Sequence, residues 1–218
     1  MESAIMDIYD ITLPITEEML VWPGDPSVSI RQLYAIKDGD SSNVSQIQMG
    51  VHTGTHIDAP RHFLDDGKTI DQLPLHKLIG DVWVIALGDD VDTISAEVLR
   101  NHPQKIHLEQ ARKILFKTKN SSLWHTHPND FQEDYVGIDS SGAAYLSHFD
   151  LDLIGVDYLS VASFKETTVP HQILLENEII LLEGIDLSNV PEGVYSLFCL
   201  PLSIQGCEGA PARTILVK

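Results

Sequence analysis

Apolar and polar residues alternate over the first third of the chain, where residues 5–11, 28–33 and 44–51 predict strands. In the last of these, Ile47, Met49 and Val51 are spaced by polar neighbours, the period of a half-buried sheet. The pattern changes after position 82. The apolar runs 82–87, 114–116, 153–156 and 179–182 are short and unbroken, as in strands buried on both faces. Helical spacing near 95–101, 141–149 and 169–177 separates several of them, and strand and helix in alternation predict a parallel sheet covered on its faces. Residues 70–79 predict a short helix interrupted around Pro74, and 195–200 and 214–217 add two late strands. The expectation is a single α/β domain over residues 1–218, with a mixed, largely parallel sheet, helices and an additional N-terminal β layer.

Composition narrows the class. A chain of 218 residues with 43% hydrophobic content is long enough for one sizeable core. No apolar run approaches the ~18 residues of a membrane span, and the acidic start Met1-Glu2-Ser3-Ala4-Ile5-Met6-Asp7 lacks a signal peptide's order, so a cytoplasmic location is expected. The net charge of -18 disfavours nucleic-acid and anionic-membrane partners, which bind through clustered Lys and Arg. Two cysteines imply no disulfide framework. Cys199 sits in an apolar run and reads as packing, whereas Cys207, between Gly206 and Glu208, is open to facing a pocket.

Candidate chemistry concentrates between Val51 and Phe63. In an extended chain His52, Gly54, His56 and Asp58 point the same way, while a helix would turn Asp58 away from the histidines. Imidazole nitrogen with carboxylate oxygen suits Zn2+ best among common ions, with Mn2+ or another divalent first-row metal possible. Gly54 then leaves space for the ion. Asp157 and Glu183 each follow a buried run, at the carboxyl end of a strand where ligand sites gather. An ionised acid there is costly unless paired, yet from the residues alone a metal partner for Glu183 and simple emergence into solvent stand level. His62, beyond Pro60 and Arg61, lies beside the first three donors and suits proton transfer or the orienting of a ligand. Trp22, Phe63, Trp83 and Trp124 offer flat apolar walls or core packing. His125 and His127 read as an exposed loop, and His76, His102, His107 and His148 as chemically idle. There is no Gly-x-Ser-x-Gly elbow and no Gly-x4-Gly-Lys loop, which favours metal-activated water over a serine nucleophile or a phosphate site.

The same segment resembles the cyclase-like metal-dependent hydrolases, the family that includes bacterial kynurenine formamidase, isatin hydrolase and a dienelactone hydrolase. Val21-Trp22-Pro23-Gly24-Asp25, Asn43-Val44-Ser45, Gly155-Val156-Asp157, His171-Gln172-Ile173-Leu174-Leu175, Glu183-Gly184-Ile185-Asp186-Leu187-Ser188 and residues 201–217 follow in family order. The resemblance implies a swivelling β/β/α fold. It also implies that His52, His56 and Asp58 hold one ion, that Asp58 bridges to a second held by His171 and Glu183, and that His62 is the catalytic base or acid. Trp22 falls near the family's pocket, with Phe63 a second candidate for substrate contact, and a homodimer or larger homo-oligomer is implied. The implied activity is hydrolysis of a non-peptide amide in a small aromatic substrate, of arylformamidase type, with opening of a cyclic amide or lactone as the alternative. A metal- or ligand-binding module without turnover is the rival of another class. Where kynurenine formamidases carry Ser-x-Asp-Pro, this chain keeps Ser160 but has Ala162, which leaves related N-formyl aromatic amines beside N-formylkynurenine as candidates.

Overall fold

The unbroken apolar runs form the centre of a closed sheet. In the computed structural model, which describes residues 6–218, the strands are β1 (Ile8–Asp10), β2 (Ser29–Tyr34), β3 (Val44–Gln48), β4 (His56–Asp58), β5 (Ile79–Ala86), β6 (Lys113–Lys117), β7 (Leu153–Val156), β8 (Ile180–Glu183), β9 (Gly193–Pro201) and β10 (Gly209–Val217). The helices are α1 (Ala96–Asn101), α2 (Lys105–Gln110), α3 (Leu123–Thr126), α4 (Ser140–Leu146) and α5 (Thr168–Glu176). Eight strands follow the order β1-β10-β4-β8-β7-β6-β5-β9, and β9 pairs back onto β10, so the sheet closes into a barrel. The expected parallel sheet is the block β5-β6-β7-β8, and the pairings of β4, β9, β10 and β1 that complete the ring are antiparallel.

The barrel explains why those runs lack alternation. Val82, Val84, Leu115 and Leu182 pack inside it, while Ile85, Ile114, Phe116 and Leu181 pack outward under Leu99, Leu146 and Leu174 of α1, α4 and α5. Both faces are dry, so both are apolar. The helix starts follow local chemistry: Ser95 accepts from the Val98 N–H and Asp139 from the Gly142 N–H, the capping bonds that satisfy first-turn donors. Around Pro74 the chain makes two single 3-10 turns, Ile70–Gln72 and Leu75–Lys77, in place of one interrupted helix.

Two readings of the first third change. β2 and β3 form the extra layer as a separate two-stranded hairpin, but it is exposed on both faces, with Ile47 50% accessible, so among the described residues the alternation there buries neither face. The strand predicted over 44–51 stops at Gln48, and the chain passes through turns before β4 resumes extended geometry at His56. Position 5 of the strand predicted over 5–11 lies outside the described residues.

Asp157, just beyond β7, accepts hydrogen bonds from the protein and joins neither donor group of a metal site. Its buried carboxylate accepts the N–H and hydroxyl of Thr118 (2.8 and 2.8 Å) and the N–H and hydroxyl of Ser121 (3.1 and 2.7 Å). Burial pushes this acid up to about 6 even against those four donors. Asp157→Ala strands the buried Thr118 N–H and leaves the Ser121 N–H only its long bond to the Thr118 carbonyl (3.4 Å), and it is expected to destabilise the protein by about 1–3 kcal/mol, read as a lower urea midpoint at unchanged slope; an unchanged midpoint would remove Asp157 from the framework.

Candidate metal centre

Strand register builds the site. β4 and β8 run antiparallel with His56 directly opposite Glu183, so the two side chains leave one face of the sheet together, and Asp58, two residues on, shares that face. A slip of one residue would send Glu183 to the other side. Gly209, first in β10, pairs with Asp58 from the opposite edge. His171 enters from the first turn of α5, just after Pro170, a position where the missing amide of proline costs nothing. His52 arrives from the turn region before β4, not from a continuous strand, so shared strand alternation relates only His56 and Asp58.

All five residues converge. His56 Nε2 lies 3.4 Å from Asp58 Oδ1 and 3.2 Å from Glu183 Oε2, and His171 Nε2 lies 3.2 Å from Glu183 Oε1 and 3.8 Å from Asp58 Oδ2. His52 Nδ1 lies 2.7 Å from Asp58 Oδ1. His52, His56 and Asp58 form one donor group and Asp58, His171 and Glu183 another, each with one donor atom per residue within 4.8 Å of the others. Asp58 belongs to both.

Protonation tests whether these donors fit a cation. Nδ1 of His56 donates to the Gly54 carbonyl (2.9 Å) and Nδ1 of His171 to the Thr167 carbonyl (2.6 Å). In the neutral rings this fixes the bare lone pair on Nε2, aimed at carboxylate oxygens. His56 Nε2 and Asp58 Oδ2 are buried without a hydrogen-bond partner. Burial works against a charged His56, yet the Asp58 and Glu183 carboxylates outweigh it and raise the imidazole to about 10. Two buried acids facing imidazole lone pairs demand positive charge, and nitrogen and oxygen donors of this kind suit a divalent ion.

Glycine has a different purpose here from leaving room for an ion. Gly54 takes φ of +66°, a side chain there would press on Met19, and its carbonyl orients His56. Gly184, which follows β8, also has φ of +66°, and a Cβ on it would stand 2.1 Å from the Gly54 oxygen. The sequence reading missed this contact, although a glycine directly after a candidate ligand was a visible sign of it.

His62 ends the 3-10 turn Pro60–His62 and stands outside both donor groups, its ring stacked on His52 with centroids 3.9 Å apart. Burial pulls its imidazole below the usual histidine range. Phe63 stacks on His171 (4.3 Å). Trp22 and Phe63 both line a cavity of about 290 Å³ whose floor is His52, His56, His171 and Glu183. Asp25, Ser160 and Thr167 also line it and were not foreseen as site residues. Trp83 and Trp124 do not reach the cavity: Trp83 stacks on His107, and Trp124 stacks on Tyr158 and donates to the Ile185 carbonyl. His125 is exposed on α3 rather than in a loop, with Nε2 3.2 Å from Asp186. Cys199 is buried and donates to the Leu78 carbonyl, and Cys207 stays out of the cavity.

Comparison with known proteins points the same way. The family model described as "Putative cyclase" matches residues 9–163. "Cyclase-like protein 3" of Arabidopsis thaliana is 37% identical over 220 residues, covering 97% of this chain and 79% of that protein. The kynurenine formamidase of Bacillus anthracis is 34% identical over 209 residues, covering 95% of each. A solved structure described as a predicted metal-dependent hydrolase from Bacillus stearothermophilus superposes with a TM-score of 0.82 at 32% identity, covering 98% of this chain and 99% of that one.

Zn2+ added to chelator-treated protein is expected to raise the thermal midpoint, since a ligand at 100 times its Kd adds about 2.7 kcal/mol of stability. His56→Ala is expected to abolish that response, and an equal response in both proteins would place the ion elsewhere.

Proposed function

The chain belongs to the cyclase family, and from that membership together with the geometry of its centre we propose that it is a hydrolase that opens a non-peptide amide, of arylformamidase type. The observation that carries the reading is the buried His/Asp/Glu centre at the floor of an aromatic-walled cavity. In this reading His52, His56 and Asp58 hold one divalent ion, Zn2+ before Mn2+, and Asp58, His171 and Glu183 provide for a second. When bound, such an ion supplies Lewis acidity and lowers the pKa of water from 15.7 to about 7.

The remaining work falls to side chains. His62 has its ring on His52 and its edge in the cavity, and burial keeps it neutral near pH 7, ready to take a proton from the attacking water and return it to the departing nitrogen. Trp22, braced edge-on by Phe131 and tilted against Phe164, gives one flat wall, and Phe63 gives another. They orient an aromatic ring and exclude water from its faces. The volume of about 290 Å³ is at the small end for ligand cavities and suits one ring system. Among the described residues no Lys or Arg lines the cavity, so none there pairs with a substrate carboxylate. That absence, with Ala162 in place of an aspartate, favours a small neutral aryl formamide or cyclic amide over N-formylkynurenine itself.

The β2–β3 hairpin supports a homodimer or larger assembly. Ile30 and Ile47 are cross-strand partners 41% and 50% exposed on one face, and Tyr34 and Val44 form a second exposed pair on the other. A lone two-stranded hairpin is marginal in water and gains from a cover. An Ile30→Glu, Ile47→Glu double variant is expected to sediment as a monomer, and an unchanged sedimentation coefficient would move the contact off the hairpin.

A panel of formanilides, N-formylkynurenine, isatin and aryl lactones, assayed with metal-free and metal-restored protein, tests the activity. Metal-dependent turnover of at least one neutral amide is expected, and binding without any turnover would favour the non-catalytic module. His62→Ala is expected to keep its metal content and lose about 10²–10⁴-fold in kcat, whereas loss of metal from this variant would make His62 a ligand.

A further inference from the structure

The three imidazoles at the centre are not held alike. His56 and His171 each give the nitrogen remote from the carboxylates to a backbone carbonyl, which fixes tautomer and ring orientation. His52 has no such carbonyl. Its Nδ1 faces Asp58 Oδ1, on the side of the donor group, and its Nε2 is buried with no hydrogen-bond partner among the described residues. A neutral ring that offers Nδ1 to a cation must carry its proton on Nε2, and a buried N–H without an acceptor costs about 1–3 kcal/mol.

One acceptor stands at that nitrogen. Glu208 Oε1 is 3.8 Å from His52 Nε2, and the Glu208 side chain is 43% exposed, free to close the gap by a small torsional adjustment or through a bridging water. The backbone around it serves the same ring. Glu208 accepts the Ala59 N–H through its own carbonyl, which ties it to the end of the metal-binding segment. Gly209 follows, and a Cβ there would stand 2.6 Å from His52 Cε1, so the imidazole lies flat against the start of β10 only because that residue is glycine.

We propose that Glu208 is a positioning residue: its carboxylate accepts the Nε2 proton of His52 and so turns Nδ1 toward the cation site, replacing the carbonyl that His56 and His171 use. Glu208 does not touch the reacting atoms in this arrangement. It acts through His52, on the affinity and geometry of the ion, and thus rests on the metal reading above.

The test is a chelator-competition titration of Zn2+ on the full chain, alongside ¹⁵N spectra of the histidine rings in the zinc-loaded protein. E208A is expected to weaken zinc binding about 10–100-fold, while E208Q, which keeps an acceptor oxygen, recovers most of the loss. The metal-free thermal midpoints of both variants are expected to match wild type, because the side chain is half-exposed. The His52 proton is expected on Nε2 in wild type. Wild-type zinc affinity in E208A, equal losses in E208A and E208Q, or a His52 proton on Nδ1 would overturn the positioning role. Failure of the wild-type protein to bind zinc at all would instead reject the metal reading.

Discussion

Two carboxylates, Asp58 and Glu183, stand buried together against three imidazoles, and everything at this end of the barrel is arranged around that concentration of negative charge. Ionised acids in a dry interior are tolerated only beside compensating charge and hydrogen-bond donors. Protein donors supply part of it, as in the Val161 N–H to Glu183 (2.7 Å). The rest is left to the imidazoles, of which His56 and His171 have already committed their Nδ1 protons to carbonyls, and a cation resolves the conflict. Asp157, equally buried and at the end of the strand next to β8, shows the contrast: four protein donors satisfy it and it joins neither donor group.

Closure of the sheet makes the arrangement rigid. β4 is three residues long and would be a poor strand alone, but β8 and β10 hydrogen-bond to its two edges. Each edge contributes something specific, Glu183 from one and Gly209 from the other. Ligands carried by strands hydrogen-bonded on both sides are held more closely than ligands on loops. The cavity above them is assembled from the Trp22 turn, the Phe63 turn and the segment through Ser160.

Much of this was legible in the residues, for stated reasons. Buried parallel strands announce themselves as unbroken apolar runs, and the boundaries of β7 fell where the run 153–156 placed them. The five clustered donors were readable because His52, His56 and Asp58 are close in sequence and because the family resemblance selected His171 and Glu183. The route by which His52 arrives was not readable. Alternation alone predicts one extended segment, whereas tertiary contact between Gly54 and Gly184 bends the chain before β4. Nor did spacing reveal closure of the sheet, because antiparallel completion by β9 and β10 depends on pairings between distant segments. The β2–β3 hairpin misled in a different way: its alternation is real, but both its faces stay exposed among the described residues.

Distance along the chain between His56 and Glu183 has a consequence for biogenesis. β4 emerges from the ribosome long before β8 and β10 exist to flank it, so until then its His56 and Asp58 lack the two strands that hold them. The full donor set therefore exists only once the ring of strands has shut, which couples formation of the centre to completion of folding.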